Sequence, residues 1–321
     1  MEMKTNLKKL PNSKSGGKGS FIKDIIRNPL SYLLILPAVI YTLIFGYMTL
    51  PYMVIAFQKF NFRTGIFDSA WVGFKNFEFF FKSSSAATVT WNTVRLNILF
   101  IFFVTVFSVS LAILLNEIKN KWFVKITQST FLFPHFISWV IASYIIYTLF
   151  SYNYGIVNRI LGFFSIEPIS WYMTPKPWTP ILVGIRVWQA TGMNVVIYLA
   201  AIVGIDGSLY EAAKIDGANR WHQIKHITLP LVMPTVAILT LLSIGKIMYG
   251  DFGMFWAIIG DNGILYPTAD VIDTYVFRAL RLSGDPSQAM AVGLFQATIG
   301  FILVFTTNKI VKKSFAEGAL F

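Results

Sequence analysis

LNILFIFFVTVFSVSLAILL, residues 96–115, is a run of twenty residues without a charge. At about 1.5 Å per helical residue such a run crosses the roughly 30 Å hydrocarbon layer of a bilayer. The pattern recurs. Residues 30–57, 131–150 and 289–307 are also charge-free, and 181–203 and 231–250 hold one basic residue each. A membrane β-strand is about half as long and alternates apolar with polar side chains, so the six runs read as helices. Composition agrees, because the 321 residues are 55% hydrophobic and 13% charged, with a mean hydropathy of +0.61 that ordinary soluble domains do not reach. The fold class is all-α: a polytopic integral membrane protein with six transmembrane helices.

The net charge of +12 could suit a nucleic acid, but its distribution points to a membrane. Sixteen Lys and Arg lie in segments 1–29, 116–130, 204–230 and 308–321, against eight in the longer set 58–91, 151–180 and 251–288. Basic residues gather on the cytoplasmic side, which puts both termini inside and fits six spans. No basic soluble face is left for nucleic acid. Cysteine is absent, which removes disulfides, thiolate metal sites and cysteine nucleophiles. The first apolar run follows a basic, polar segment and lacks a small-residue cleavage site near its end, so it reads as an uncleaved span.

Residues 1–19, including SKSGGKGS, have the composition of a disordered tail. Phe21, Ile22, Ile25 and Ile26 then share a helical face opposite Lys23, Asp24 and Arg27. That pattern predicts a short helix on the inner membrane surface before Pro29, or else a continuation of the first span. The organisation is thus a basic tail with an interfacial helix over 1–29, a six-span domain over 30–310, and a cytoplasmic tail over 311–321. The outer segment 58–91 carries WVGFKNFEFFF, either an interfacial aromatic belt or a partner contact. The outer segment 251–288 holds five Asp and the amphipathic pattern TADVIDTYVFRAL, with Thr268 placed to cap a helix.

Between the fourth and fifth runs lies EAAKIDGANRWHQIKHITLP, residues 211–230. Ser208 and Glu211 have the spacing of a capping box, whose hydroxyl and carboxylate satisfy free amides at a helix start. Gly217 supplies the left-handed residue that ends a helix of about two turns. Ala212 and Ala213 give that helix a flat face that another protein can approach closely. Trp221, Ile224 and Ile227 form a second stripe at helical spacing, and Pro230 opens the next span. Residues 206–230 therefore read as a helix-turn-helix elbow projecting into the cytoplasm.

The order E-A-A, three residues, G, nine residues, I-x-L-P occupies Glu211, Ala212, Ala213, Gly217, Ile227, Leu229 and Pro230. It resembles the signature loop of the membrane subunits of bacterial ATP-binding cassette importers. LPAVIYTLIFGYMTLPYMVIAF, WVGFKNF with Asn92-Thr93, FPHFISWV and VIDTYVFRAL are similar to the carbohydrate-uptake branch of that family. The resemblance implies the binding-protein-dependent importer permease fold and a place in the bacterial cytoplasmic membrane, among its lipids. It also implies that the loop is a coupling helix docking into a separate ATP-hydrolysing subunit. Glu211, Ala212, Ala213, Asp216, Gly217, Ile227, Leu229 and Pro230 would carry that contact. The implied partners are two ATPase subunits holding ATP and Mg, a second homologous permease, an extracellular sugar-binding protein and an oligosaccharide. The chain itself would be a transport subunit and no enzyme, with no cofactor of its own.

The residues agree with that division of labour. No G-x-x-x-x-G-K-[ST] phosphate cradle is present, and GGKGS at 16–20 has neither the spacing nor the hydroxyl after lysine. His222 and His226 have the i, i+4 spacing of a zinc pair but lack a following Glu and a third ligand, so no metal site is expected. The topology puts Arg95, Arg186 and Lys246 in the outer half of the membrane. Arg95 is expected to snorkel to headgroups, and Arg186 and Lys246 to face a cavity or a partner. RVWQATGMNVV offers Arg186, Trp188, Gln189 and Asn194, and KIMYGDFGMFW offers Lys246, Tyr249, Asp251 and Phe252. Aromatic faces and hydrogen-bonding groups at one depth are what a sugar passage needs. The rival classes are an importer for a non-sugar solute, an ion-gradient carrier, which would want acidic residues within its spans, and a membrane enzyme, which would want a nucleophile or paired acid and base.

Overall fold

The computed structural model describes residues 18–314, so the first seventeen residues of the tail expected over 1–19 and the last seven residues of the chain lie outside the described residues, while Lys18 and Gly19, expected in that tail, already belong to a helix. Two units divide the chain, Met1–Val54 and Ile55–Phe321. In the first, α1 (Lys18–Arg27) is a separate helix from α2 (Pro29–Tyr41). Asp24 clasps the joint, taking Asn28 Nδ2 at 3.0 Å and the Tyr32 hydroxyl at 2.7 Å. Pro29 sits at the start of α2, where its missing N–H costs nothing.

The first apolar run is not one regular helix. After α2 the chain widens into a π turn, Thr42–Tyr47, and then tightens into a 3-10 segment, Leu50–Phe57. Pro37 and Pro51 lack donors, and Thr42 and Thr49 hydroxyls bond back to Ala38 and Phe45 carbonyls at 2.8 and 3.1 Å, which loosens the ordinary ladder.

The second unit is built around two long helices, α3 (Ala86–Glu117) and α6 (Trp178–Val203), which form its most extensive pairing. Arg95 bonds Thr179, Ser108 bonds the Thr191 carbonyl, and Leu115 packs in one cluster with Ile202. Partners ascend together, so the helices are parallel. Between them come α4 (Lys121–Leu132) and α5 (Trp139–Phe150), where a single span over 131–150 was expected. These are bent by 101° across the break. Pro134 sits in a 3-10 turn and Ser138 starts a new helix, its Oγ accepting the Ile141 N–H at 3.4 Å. Because α3 and α6 run the same way, the bent pair must carry the chain back across the membrane. It therefore counts as one span, which with the five long apolar helices makes six.

Beyond α6 come α7 (Gly207–Ile215), α8 (Leu229–Ile244), α9 (Phe252–Ile258), α10 (Ile272–Ser283) and α11 (Pro286–Ser314). The long helices outrun their apolar cores because ends such as AATVTWNTVR are polar yet helical. The fifth span differs in both limits from 231–250. Helix runs from Arg220 through a π turn at Ile224–Thr228 into α8, so Pro230 lies within it and does not open it. The Leu229 N–H reaches the Ile224 carbonyl, a widened turn that accommodates the proline ring. The helix then stops at Ile244, and Lys246 lies in the turn beyond.

One correction and one refinement concern segments 251–288 and 58–91. Thr268 does not cap α10; it bonds the Pro175 carbonyl at 2.9 Å, and Thr274 Oγ1 instead accepts the Val271 N–H. The aromatic stretch is split: Phe80 is buried against Tyr275 and Phe295, while Phe62, Phe67, Trp71 and Phe74 are exposed around a two-residue antiparallel ladder pairing Gln58 with Trp71.

Candidate functional site

Two polar arrangements among the described residues hold the residues expected to serve coupling and cargo. The first is the elbow. Its helix α7 is capped by Asp206, whose carboxylate accepts the Ser208 N–H at 3.0 Å, so the expected Ser208–Glu211 box is not used. Both residues are good caps, and the charged acceptor two positions earlier starts the helix first. That bond holds the Asp206 carboxyl below the usual carboxylate range. At the other end Gly217 has φ +80°. The Ala218 N–H reaches the Ala213 carbonyl at 2.8 Å and the Gly217 N–H reaches Lys214 at 3.1 Å, the two bonds of a Schellman motif.

The elbow is anchored to the spans behind it. The Tyr210 hydroxyl bonds Thr228 Oγ1 at 2.9 Å, Arg220 lies 3.6 Å from Glu117 at the end of α3, and buried Gln223 donates to the Ala218 carbonyl at 3.1 Å. Glu211, Ala212, Asp216, Gly217, Leu229 and Pro230 are exposed, and Ala213 and Ile227 half-buried. Ile215 is 88% and Trp221 70% exposed. Ile215 was passed over in the sequence because one isoleucine in a charged stretch carries no periodic signal. His222 and His226 stack at 5.9 Å, and His222 Nδ1 lies 2.8 Å from Asn219 Oδ1. Among the described residues, no group of three metal-ligating side chains forms.

The second arrangement is a cavity of about 330 Å³ where the turn after α8 meets α3 and α6. Side chains from other helices shape the turn. Asn97 Nδ2 donates to the Ile247 and Tyr249 carbonyls at 3.0 Å each, Gln296 to Met248 at 2.7 Å, and the Gly250 N–H donates to Asp273 at 2.6 Å. Asp251 then caps α9 through the Met254 N–H, takes Trp139 Nε1 at 3.1 Å and pairs with Arg186 at 2.9 Å.

Arg186, Asn194, Lys246, Tyr249 and Asp251 line this cavity together. Trp188, Gln189 and Phe252 do not. Residues 186, 190 and 194 recur at helical spacing on one face of α6, whereas Trp188 is about 200° away around the helix and lies against Ile145 and Leu149 in an apolar groove. Gln189 is half-buried, and Phe252 stacks on Trp256 and packs on Phe277. Arg95 does not snorkel: its Nη2 bonds Asn92, Thr179 and the Thr268 carbonyl at 3.2 Å each. Asn97 and Gln296 were missed, although an amide inside an apolar run is a legible signal because it is costly unless bonded.

Asp251 is the acceptor shared by three donors. Asp251→Ala is expected to destabilise the subunit by roughly 1–3 kcal/mol, discounted for partial exposure. Thermal unfolding in detergent measures this, and adding Arg186→Ala should recover part of the loss by removing the unpaired cation.

The cavity and the elbow both fall within residues 95–315, which match the family model described as binding-protein-dependent transport system inner membrane component. The polygalacturonan/rhamnogalacturonan transport system permease protein YteP of Bacillus subtilis (strain 168) is 36% identical over 294 residues, covering 92% of this chain and 91% of the relative. A crystal structure of a bacterial ABC transporter involved in the import of the acidic polysaccharide alginate superposes with a TM-score of 0.81 at 33% identity, over 92% of this chain and 99% of that one. A bacterial alginate ABC transporter crystallised with an alginate pentasaccharide-bound periplasmic protein matches equally at 0.81, with 32% identity over 91% and 96% of the two chains. Six spans, an elbow between the fourth and fifth, and a sequence match across both place this multi-pass membrane chain in the family of binding-protein-dependent transport system inner membrane components.

Proposed function

We propose that this chain is one half of the pore of an ATP-driven importer for oligosaccharides or polysaccharide fragments, working by alternating access in a bacterial cytoplasmic membrane. The other half would be a homologous permease, and two ATPase subunits would bind ATP and Mg on the cytosolic side. An external sugar-binding protein would deliver cargo to the cavity in the outer half. The saccharide reading draws support from YteP and the alginate transporters. The excess of basic residues beside the elbow supports a cytosolic position for it and for both termini.

The observation that carries this reading is the elbow's construction. A helix of nine residues is fixed at both ends, offers Ile215 to a partner and is tied to the base of the fifth span through Tyr210–Thr228, while Arg220, past the turn that follows it, pairs with Glu117 of α3. Pushing such an elbow moves the spans with it, which is the coupling an external ATPase pair requires. Glu211, Ala212, Ala213, Asp216 and Gly217 would form the contact, with Ile227, Leu229 and Pro230 setting the hinge into the span.

Purification of the chain from native membranes tests this. The ATPase subunits are expected to copurify, and Ile215→Asp should weaken their retention by about tenfold or more, the usual cost of charging an apolar interface anchor. Retention unchanged in that variant would overturn the coupling role.

A further inference from the structure

Of the two cations lining the cavity, only one is neutralised. Arg186 has Asp251 at 2.9 Å. Among the described residues no carboxylate lies within ion-pair distance of Lys246. Asp273 stands behind the turn, engaged by the Gly250 N–H at 2.6 Å and by Gln296 Nε2 at 3.3 Å, and does not line the cavity. The cavity wall thus carries two positive charges and one negative.

Lys246 is exposed on the cavity wall, in the turn beyond α8, so its ammonium is free to take a counter-charge from a group that enters the cavity. Neutral sugars do not require one, since hydroxyls are met by amides, hydroxyls and aromatic faces. Such groups are also present: Asn194 spends its Nδ2 on the Ala190 carbonyl at 3.1 Å and keeps its oxygen for a donor, and Ser243 and Tyr249 stand on the turn side. The turn fixes the lysine's position, because Asn97 clamps the carbonyls of Ile247 and Tyr249 on either side of Met248.

We propose that Lys246 reads a carboxylate on the cargo, which makes the substrate class acidic, uronate-bearing oligosaccharides. This rests on the saccharide reading above and narrows it. Arg186, paired with an Asp251 that Trp139 Nε1 also bonds, supplies a fixed wall and Lys246 the free charge.

The test uses the whole transporter, the chain with its partner permease, ATPase subunits and binding protein, in vesicles of zwitterionic phosphatidylcholine. Uptake is measured for trigalacturonate, its methyl ester and maltotriose. Wild type is expected to import the acid about tenfold faster than the ester, and Lys246→Met to lose about that factor on the acid. Lys246→Arg, which keeps the charge, should stay within about threefold, separating charge from folding. Lys246→Met importing trigalacturonate at the wild-type rate overturns the inference, as does wild type importing ester or maltotriose as fast as the acid. If none of the three is imported, the saccharide reading itself falls and this inference with it.

Discussion

Gly192→Ala is expected to remove the folded subunit from detergent extracts. A Cβ at this position would land on the Phe131 carbonyl oxygen and come within 2.8 Å of Leu132 Cα. Both are backbone atoms, so no side-chain rotation relieves the clash. The end of α4 would have to withdraw from α6 where α3 also meets it through Ser108 and Thr191. Without a hydrophobic effect between helices in lipid, close approach over small residues is much of what holds them, and the cost is about 3 kcal/mol or more. Gly184 on the same helix is the control, since a Cβ there meets nothing within 4 Å. Gly184→Ala should give wild-type yield and melting temperature. Equal behaviour of the two variants would show that the α4–α6 crossing is looser than described.

The second large effect is on coupling. At Gly217 an added Cβ also meets nothing within 4 Å, but φ is +80°. Gly217→Val is therefore strained in its own backbone, by about 1–3 kcal/mol. The strain is relieved by giving up the Schellman bonds to Ala213 and Lys214, which re-aims the end of α7 and the chain leading to Arg220. Membrane insertion should be unaffected, while uptake per ATP hydrolysed falls by about tenfold or more. Gly217→Asn, which tolerates the left-handed region, should keep most of the uptake. Full uptake in the valine variant would mean that the elbow's shape does not matter to transport.

Much of the architecture was legible because lipid imposes a simple rule: a spanning segment must be long, apolar and hydrogen-bonded within itself. The runs at 96–115 and 181–203 obey it and only lengthen. The run at 131–150 breaks because Ser138, a good cap, begins a second helix and Trp139 is drawn to Asp251, a residue more than a hundred positions away. Such a tertiary contact leaves no periodic trace. Within the cavity, the residues recovered are those on one helical face of α6 and on one clamped turn. Trp188 and Gln189 were near in sequence but pointed elsewhere, and Phe252 belongs to an aromatic cluster with Trp256 and Phe277. At the elbow, Gly217 was legible because its conformation is nearly unique to glycine, whereas Asp206 and Ser208 compete for one role and geometry chooses between them.

The turn bearing Lys246, Tyr249 and Asp251 is bonded by Asn97 of α3, Asp273 of α10 and Gln296 of α11. If this turn reads the cargo as proposed, cargo preference is a property of a three-way joint and is not carried by the segment that displays the side chains. A chimaera receiving only α8 and its turn from another transporter would inherit the letters without the pose, and a working graft would have to bring the amides and the acid from all three neighbours.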